Sequence, residues 1–264
     1  MNKKYALDNL NLNNIKAQIK KADNVLFFLD YDGTLAPFQP DPLSAFALPE
    51  IETNLKELEK KEAYYLSLVS GRKLAELKKM IDLKRSNFAG SHGLEIELFF
   101  SEGVIYPYQT NEIDVLSKKN YQKSKEKYLA KAGVRLEDKG FGFALHFESE
   151  QKQLKAEKDL KALFKNTAYQ VLAGRKIVEI RPAGWDKGQA VKYISNQINK
   201  KLGIDNTLQI YIGDDSTDED VFRVIENGIT IYVKNEDDLS TEAEYYLYDP
   251  EDTAELLVEI AGEN

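Results

Sequence analysis

The stretch "VLFFLDYDGTLAPF", Val25 to Phe38, decides how the rest of the chain is read. Five apolar residues run without alternation, the pattern of a strand buried on both faces in a helix-covered parallel sheet. Asp30 and Asp32 follow, one residue apart. Side chains at i and i+2 of an extended segment point to the same side, so the two carboxylates repel unless something positive lies between them. A hard cation fits that need.

On the C-terminal side, Pro49 opens a helix with Ile51, Leu55 and Leu58 at helical spacing. "YYLSLVSGR" predicts a strand over 64–69 that ends at Ser70, Gly71 and Arg72, followed by the helical "LAELKKMI" and a short strand in "SNFAGSHG". Alternating strands and helices predict right-handed crossovers and a parallel sheet. After Glu95 the rhythm changes. A glycine-bearing turn within "LEIELFFSEGVIYPY" leads to a helix over 112–132 and a hairpin in "VRLEDKGFGFALHFE". A helix over 150–165 precedes a second hairpin, "YQVLAGRKIVEIRP", turning near Gly174. The earlier order resumes with a helix after "WDKG" stopped by Gly203, then a strand over 208–212 ending at Gly213, Asp214 and Asp215. A helix from Ser216, strands over 229–233 and 245–248 and a final helix complete the chain, whose first 24 residues read as polar and helical. The expected fold class is α/β: a parallel-sheet core from residues 1–96 and 183–264, with a smaller α+β unit, 97–182, inserted.

Composition narrows the chemistry. The 264 residues include no cysteine and two histidines, His92 and His146, so a disulfide framework and a thiolate metal site are excluded and carboxylates are the route to a bound metal. A net charge of -8 argues against a nucleic-acid partner. No signal-peptide core or apolar run near the roughly 20 residues of a membrane span is present. The expectation is a cytoplasmic enzyme or binding protein that meets an anionic substrate in a local basic pocket.

In an open α/β sheet, ligands bind beyond the carboxyl ends of the strands. Asp30 and Asp32, Ser70, and Asp214 with Asp215 all follow strand ends, and Lys187 opens a helix, so these distant residues share one crevice. The set suits phosphoryl transfer. Asp30 is the candidate nucleophile, forming an aspartyl-phosphate, and Asp32 the acid/base that protonates the leaving alcohol and later deprotonates water. Mg²⁺ takes oxygen ligands, here Asp30, Asp214 and the backbone carbonyl of Asp32. Lys187 and the Ser70 hydroxyl are placed to hold phosphoryl oxygens.

"DYDGTL", "VSGR", "WDKG" and "GDDSTDEDVF" resemble, in order, the four motifs of the haloacid dehalogenase superfamily of phosphatases. "GSHGLEIE", "GRKIVEIRP" and "GDDSTDED" narrow the resemblance to its trehalose-6-phosphate phosphatase family, over residues 26 to about 222. The resemblance implies a Rossmann-like core, the same roles for Asp30, Asp32, Ser70, Lys187 and Asp214, and Mg²⁺ as cofactor. It also implies that the inserted unit reads the sugar of a small sugar phosphate through Glu95, Arg175 and Glu179. A separate trehalose-6-phosphate synthase chain would be the pathway neighbour.

Counted along a strand, Arg175, Ile177, Glu179 and Arg181 share one face and Lys176, Val178 and Ile180 the other. Arg175 and Glu179 would lie ~13 Å apart, the scale of a disaccharide. Gly71, Arg72 and His92 join the candidate pocket, with Thr34, Lys176, Asp215 and His146 behind them; His92 also reads as a loop-structuring residue. The family often carries a basic residue where this chain has Glu148. The acidic run 218–220 reads as a helix's first turn, where the macrodipole favours negative charge without a catalytic role. Rival readings are another sugar phosphatase of the superfamily, acting on sucrose phosphate, mannosyl-phosphoglycerate or a hexose phosphate; a phosphomutase; and a catalytically silent regulatory module.

Overall fold

A computed structural model describes residues 3–108, 113–174, 176–235 and 240–262. It divides into two compact units, 1–107 with 186–264, and 108–185. The inserted unit therefore begins about ten residues later than the sequence suggests. The reason is local: after the strand Glu95–Glu97, Ile105 returns to pair with Ile96 through two backbone hydrogen bonds of 2.6 and 2.9 Å, which keeps this hairpin with the larger unit.

Strands and helices are numbered in chain order. The large unit holds β1 (Lys4–Tyr5), β2 (Asn24–Leu29), β3 (Tyr64–Val69), β4 (Asn87–Gly90), β5 (Glu95–Glu97), β10 (Thr207–Gly213), β11 (Ile229–Val233) and β12 (Tyr245–Leu247). Their order across the sheet is β1-β12-β11-β10-β2-β3-β4-β5, parallel throughout except for the β4–β5 pair. β2 is central, with β3 on one side and β10 on the other, so the sheet grows outward in opposite directions from it. Val25, Phe27 and Leu29 join one apolar core with residues of helices α1 (Asn9–Lys21), α2 (Pro49–Glu59), α3 (Leu74–Met80) and α8 (Pro250–Ala261). Leu26 and Phe28, on the opposite face, are equally buried. Both faces of β2 are covered, as its unbroken apolar run requires. The N-terminal segment differs from the sequence reading: before α1, Lys4 and Tyr5 pair with Tyr245 and Tyr246, because a parallel partner at the β12 edge satisfies backbone groups that a polar helix start would leave to water.

The small unit contains a second sheet, β6-β7-β9-β8, antiparallel throughout. Its strands are β6 (Val134–Asp138), β7 (Phe143–Phe147), β8 (Tyr169–Gly174) and β9 (Ile177–Pro182). Helices α4 (Val115–Leu129) and α5 (Glu150–Leu163) pack on one face through Tyr128, Ala156 and Leu160 against Phe143, Leu145, Val178 and Ile180. Strand alternation then assigns Ala144, His146, Glu179 and Arg181 to the opposite face.

Candidate active site

The carboxyl ends of β10, β2 and β3 lie side by side and deliver Asp214, Asp30 and Ser70 to one place. Asp30 is held there by its own backbone, whose N–H donates to Ile212 O at 2.9 Å. Helix α6 (Lys187–Leu202) starts at the same spot: Asp186 caps it by accepting from Gln189 N at 2.8 Å, and Lys187 is its first residue. Gly203 ends α6 in the left-handed region, as the glycine predicts.

Lys187 Nζ lies 2.9 Å from Asp30 Oδ1 and 2.7 Å from Asp218 Oδ1, and all three residues are buried. The sequence reading gave Asp218 no role at this site. Its Oδ1 also accepts from Tyr211 OH at 2.5 Å, while Oδ2 accepts from the backbone N–H groups of Asp214 and Asp215, both at 2.9 Å. Four donors leave it little capacity for anything else. It anchors Lys187 and shapes the Gly213–Asp215 turn. Of the acidic run, Glu219 and Asp220 lie in the first turn of a helix, α7 (Glu219–Phe222), as expected, whereas Asp218 stands at its N-cap and serves Lys187. That helix begins three residues later than expected. The usable signal was the spacing of Asp218, four residues after Asp214.

Asp30, Asp214 and Asp218 each offer a carboxylate oxygen within 4.8 Å of the others. Burial pushes the Asp30 carboxyl up, against the pull of the Lys187 ammonium. Burial and the charge of Asp30 push Asp214 well up, and burial takes Asp218 up to about 8. Burial alone would lower Lys187, but the charges of Asp218 and Asp30 outweigh it and leave the lysine raised. A cluster so short of positive charge favours a cation, and its all-oxygen donors suit a hard divalent ion such as Mg²⁺. Since Asp218 is already saturated, Asp30 and Asp214 are the residues that would hold it.

Asp214 is oriented by Thr34 Oγ1 at 3.3 Å and by Asn235 Nδ2 at 3.3 Å; the same amide reaches Gly33 O at 3.1 Å. Asn235 was not foreseen from sequence. Gly33, at φ 78°, is required by the crowding: a Cβ there would sit 2.1 Å from Asp214 Oδ2.

Asp32 is turned to a different partner. Arg72 grips it with Nε to Oδ2 at 2.6 Å and Nη2 to Oδ1 at 2.5 Å, so the side chain of Arg72 serves a carboxylate, where the sequence reading placed it in the substrate pocket. Ser70 is buried, and its Oγ accepts from Arg72 N at 3.2 Å. His92 stands at φ 56° with its N–H donating to Ser70 O at 2.9 Å, the loop-structuring role; a Cβ on Gly71 would approach its ring to 2.9 Å. Asp215 Oδ1 accepts from Thr217 N at 2.7 Å and Thr217 Oγ1 at 2.6 Å, closing a local turn. Glu95 Oε2 accepts from Leu74 N at 3.2 Å and Ser91 Oγ at 3.0 Å, which commits that oxygen to the framework.

Within the small unit, Glu179 pairs with Lys139 at 3.6 Å, and His146 Nε2 lies 2.8 Å from Glu137 Oε2. The hydrogen bond from His146 holds the Glu137 carboxyl below its ordinary range. Lys176 is exposed in the β8–β9 turn at φ 59°, and Glu148 pairs with Lys152 at 2.9 Å. Arg175 lies outside the described residues.

A family model described as trehalose-phosphatase matches residues 28–251, a span that takes in all four motifs. The chain belongs to the trehalose-phosphatase family. It is 30% identical over 258 residues to trehalose-phosphate phosphatase B of Arabidopsis thaliana, covering 90% of this chain and 66% of that protein. It is also 30% identical over 260 residues to trehalose 6-phosphate phosphatase RA3 of Zea mays, at 92% and 71%. The chain thus spans about two thirds of the length of these family members. Among solved structures, the C-terminal domain of trehalose-6-phosphate phosphatase from C. albicans superposes with a TM-score of 0.84 at 22% identity, covering 98% of this chain and 99% of that one. The C-terminal domain of a Candida albicans trehalose synthase regulatory protein superposes at 0.70 with 14% identity, covering 94% and 98%. The fold is thus that of the family's solved structures, and residues such as Asp30 and Lys187 must carry any argument for turnover. Among the described residues no helix is long and apolar enough to cross a membrane.

Proposed function

We propose that this member of the family hydrolyses trehalose 6-phosphate to trehalose and phosphate in the cytoplasm, with Mg²⁺ as cofactor and a separate synthase chain supplying the substrate. The observation that carries the reading is the buried Asp30–Lys187–Asp218 array, with Asp32 two residues beyond the nucleophile, in a chain matched by the family almost end to end. An Asp30 carboxylate oxygen attacks phosphorus as the bond to the sugar oxygen breaks, and Asp32 gives that oxygen a proton. Asp32 then takes a proton from water as the water attacks the aspartyl-phosphate, releasing phosphate and restoring Asp30. Lys187 and Ser70 hold phosphoryl oxygens, and Asp30 and Asp214 hold the Mg²⁺, which supplies electrostatic relief between two anionic reactants. Glu179, on the face of the small sheet opposite α4 and α5, accepts hydrogen bonds from sugar hydroxyls.

Phosphate release tests this, with trehalose 6-phosphate, sucrose 6-phosphate, glucose 6-phosphate and mannosyl-3-phosphoglycerate each assayed with Mg²⁺ and with EDTA. Metal-dependent preference for trehalose 6-phosphate, lost in Asp30→Asn, is the expected result. Metal-dependent preference for another sugar keeps the Asp30 chemistry and removes the sugar assignment.

A further inference from the structure

Arg72 follows the Ser70–Gly71 pair, a position that suggests phosphate binding, yet its guanidinium is spent elsewhere. It closes a two-point fork on Asp32, 2.6 and 2.5 Å, and the same Nη2 donates to Pro42 O at 2.7 Å. Its Cζ lies 5.4 Å from the centroid of the Tyr31 ring. Arg72 is 8% exposed and the Asp32 side chain 34% exposed, so the cation is the fixed member of the pair and the carboxylate the accessible one. The backbone of Arg72 is pinned as well, by its N–H to Ser70 Oγ at 3.2 Å and by Ser91 N to its carbonyl at 2.6 Å.

A planar fork matches a carboxylate at both oxygens and fixes rotation as well as position, which an ammonium does not. It takes one lone pair of each oxygen and leaves the other for proton transfer. We infer that Arg72 is a positioning residue for the acid/base: it aims Asp32 at the leaving oxygen and, through Pro42, ties the 37–47 loop to that aim. The inference rests on the acid/base reading of Asp32.

In the first chemical step, which kcat/KM reports, a misplaced acid slows only reactions whose leaving group needs a proton; the later deprotonation of water is common to all substrates and falls on kcat. The test is therefore kcat/KM for trehalose 6-phosphate beside p-nitrophenyl phosphate, whose phenolate leaves unaided. Wild type, Arg72→Lys, Arg72→Gln and Asp32→Asn are compared, with thermal melts to establish that each is folded. The expected result is a loss of roughly 10- to 100-fold on the sugar phosphate for both Arg72 variants, against less than about 3-fold on the aryl phosphate, with Asp32→Asn showing the same selectivity more strongly. Equal losses on both substrates would make Arg72 a phosphate holder and overturn the inference while leaving Asp32 its role. An Asp32→Asn protein without selectivity would overturn the acid/base reading and the inference together. Melting of one Arg72 variant leaves the other to decide; if both unfold, the role is structural and the inference fails.

Discussion

Lys187 Nζ stands between Asp30 and Asp218 with almost no access to water, and its removal would leave buried carboxylates facing one another. Lys187→Met is expected to cost about 3–5 kcal/mol of stability at neutral pH, measured by urea denaturation, besides abolishing turnover. The sign of its pH dependence follows from the groups left behind. Carboxyls whose folded pKa is raised above the unfolded value penalise the fold at neutral pH and cease to do so as pH falls toward the unfolded carboxylate range. Asp214 and Asp218 are raised in the wild type as well, so the fold should gain stability between pH 7 and pH 5 in wild type and variant alike, measured by urea denaturation at each pH. At this scale much was readable. Asp30, Asp32, Ser70, Lys187 and Asp214 follow from strand ends and motif order, because a strand end fixes where its next residue goes. Asp218, Asn235 and the true partner of Arg72 were not readable, since each acts through a contact made only after distant segments meet: Asp32 and Arg72 are 40 residues apart, and Asn235 and Gly33 are 202.

Elements carry a different kind of information. The unbroken apolar run of β2 fixed its central place, and the alternation along β9 fixed which face Glu179 shares, with Val178 and Ile180 buried on the other. The short helices were less legible. α3 has no side-chain cap from its own N-cap residue, Lys73, and borrows Glu95 from β5 to accept the Leu74 N–H. Nothing local marks Glu95 as a helix cap, and its family resemblance points instead to sugar. Glu95→Ala is expected to lower stability by about 1–2 kcal/mol, read from the midpoint of urea unfolding, with KM for trehalose 6-phosphate little changed. A large rise in KM without loss of stability would return Glu95 to the substrate.

At the scale of the whole molecule, the inserted unit has its own apolar cluster around Tyr128, Phe143, Leu145, Val178 and Ile180, and its two helices carry their own caps, Asp114 and Ser149. An excised segment of residues 108–185 is expected to fold alone, with a single cooperative thermal transition followed by circular dichroism. A broad, non-cooperative melt would show that it depends on the rest of the chain. The overall charge concealed a contrast between the units: Lys and Arg exceed Asp and Glu within 108–185, and the excess of acid lies entirely in the remainder.

The strand order also sets a timetable. β2 is complete at Leu29, but its neighbour β10 begins only at Thr207. At the usual pace of synthesis, roughly 5–20 residues per second, the catalytic strand waits on the order of 10–35 s with one side unpaired. The inserted unit emerges within that interval and can finish folding first. The nascent chain therefore passes through a stage in which its most apolar strand is open to strangers, and a chaperone that shelters that edge would matter most before residue 207 leaves the ribosome.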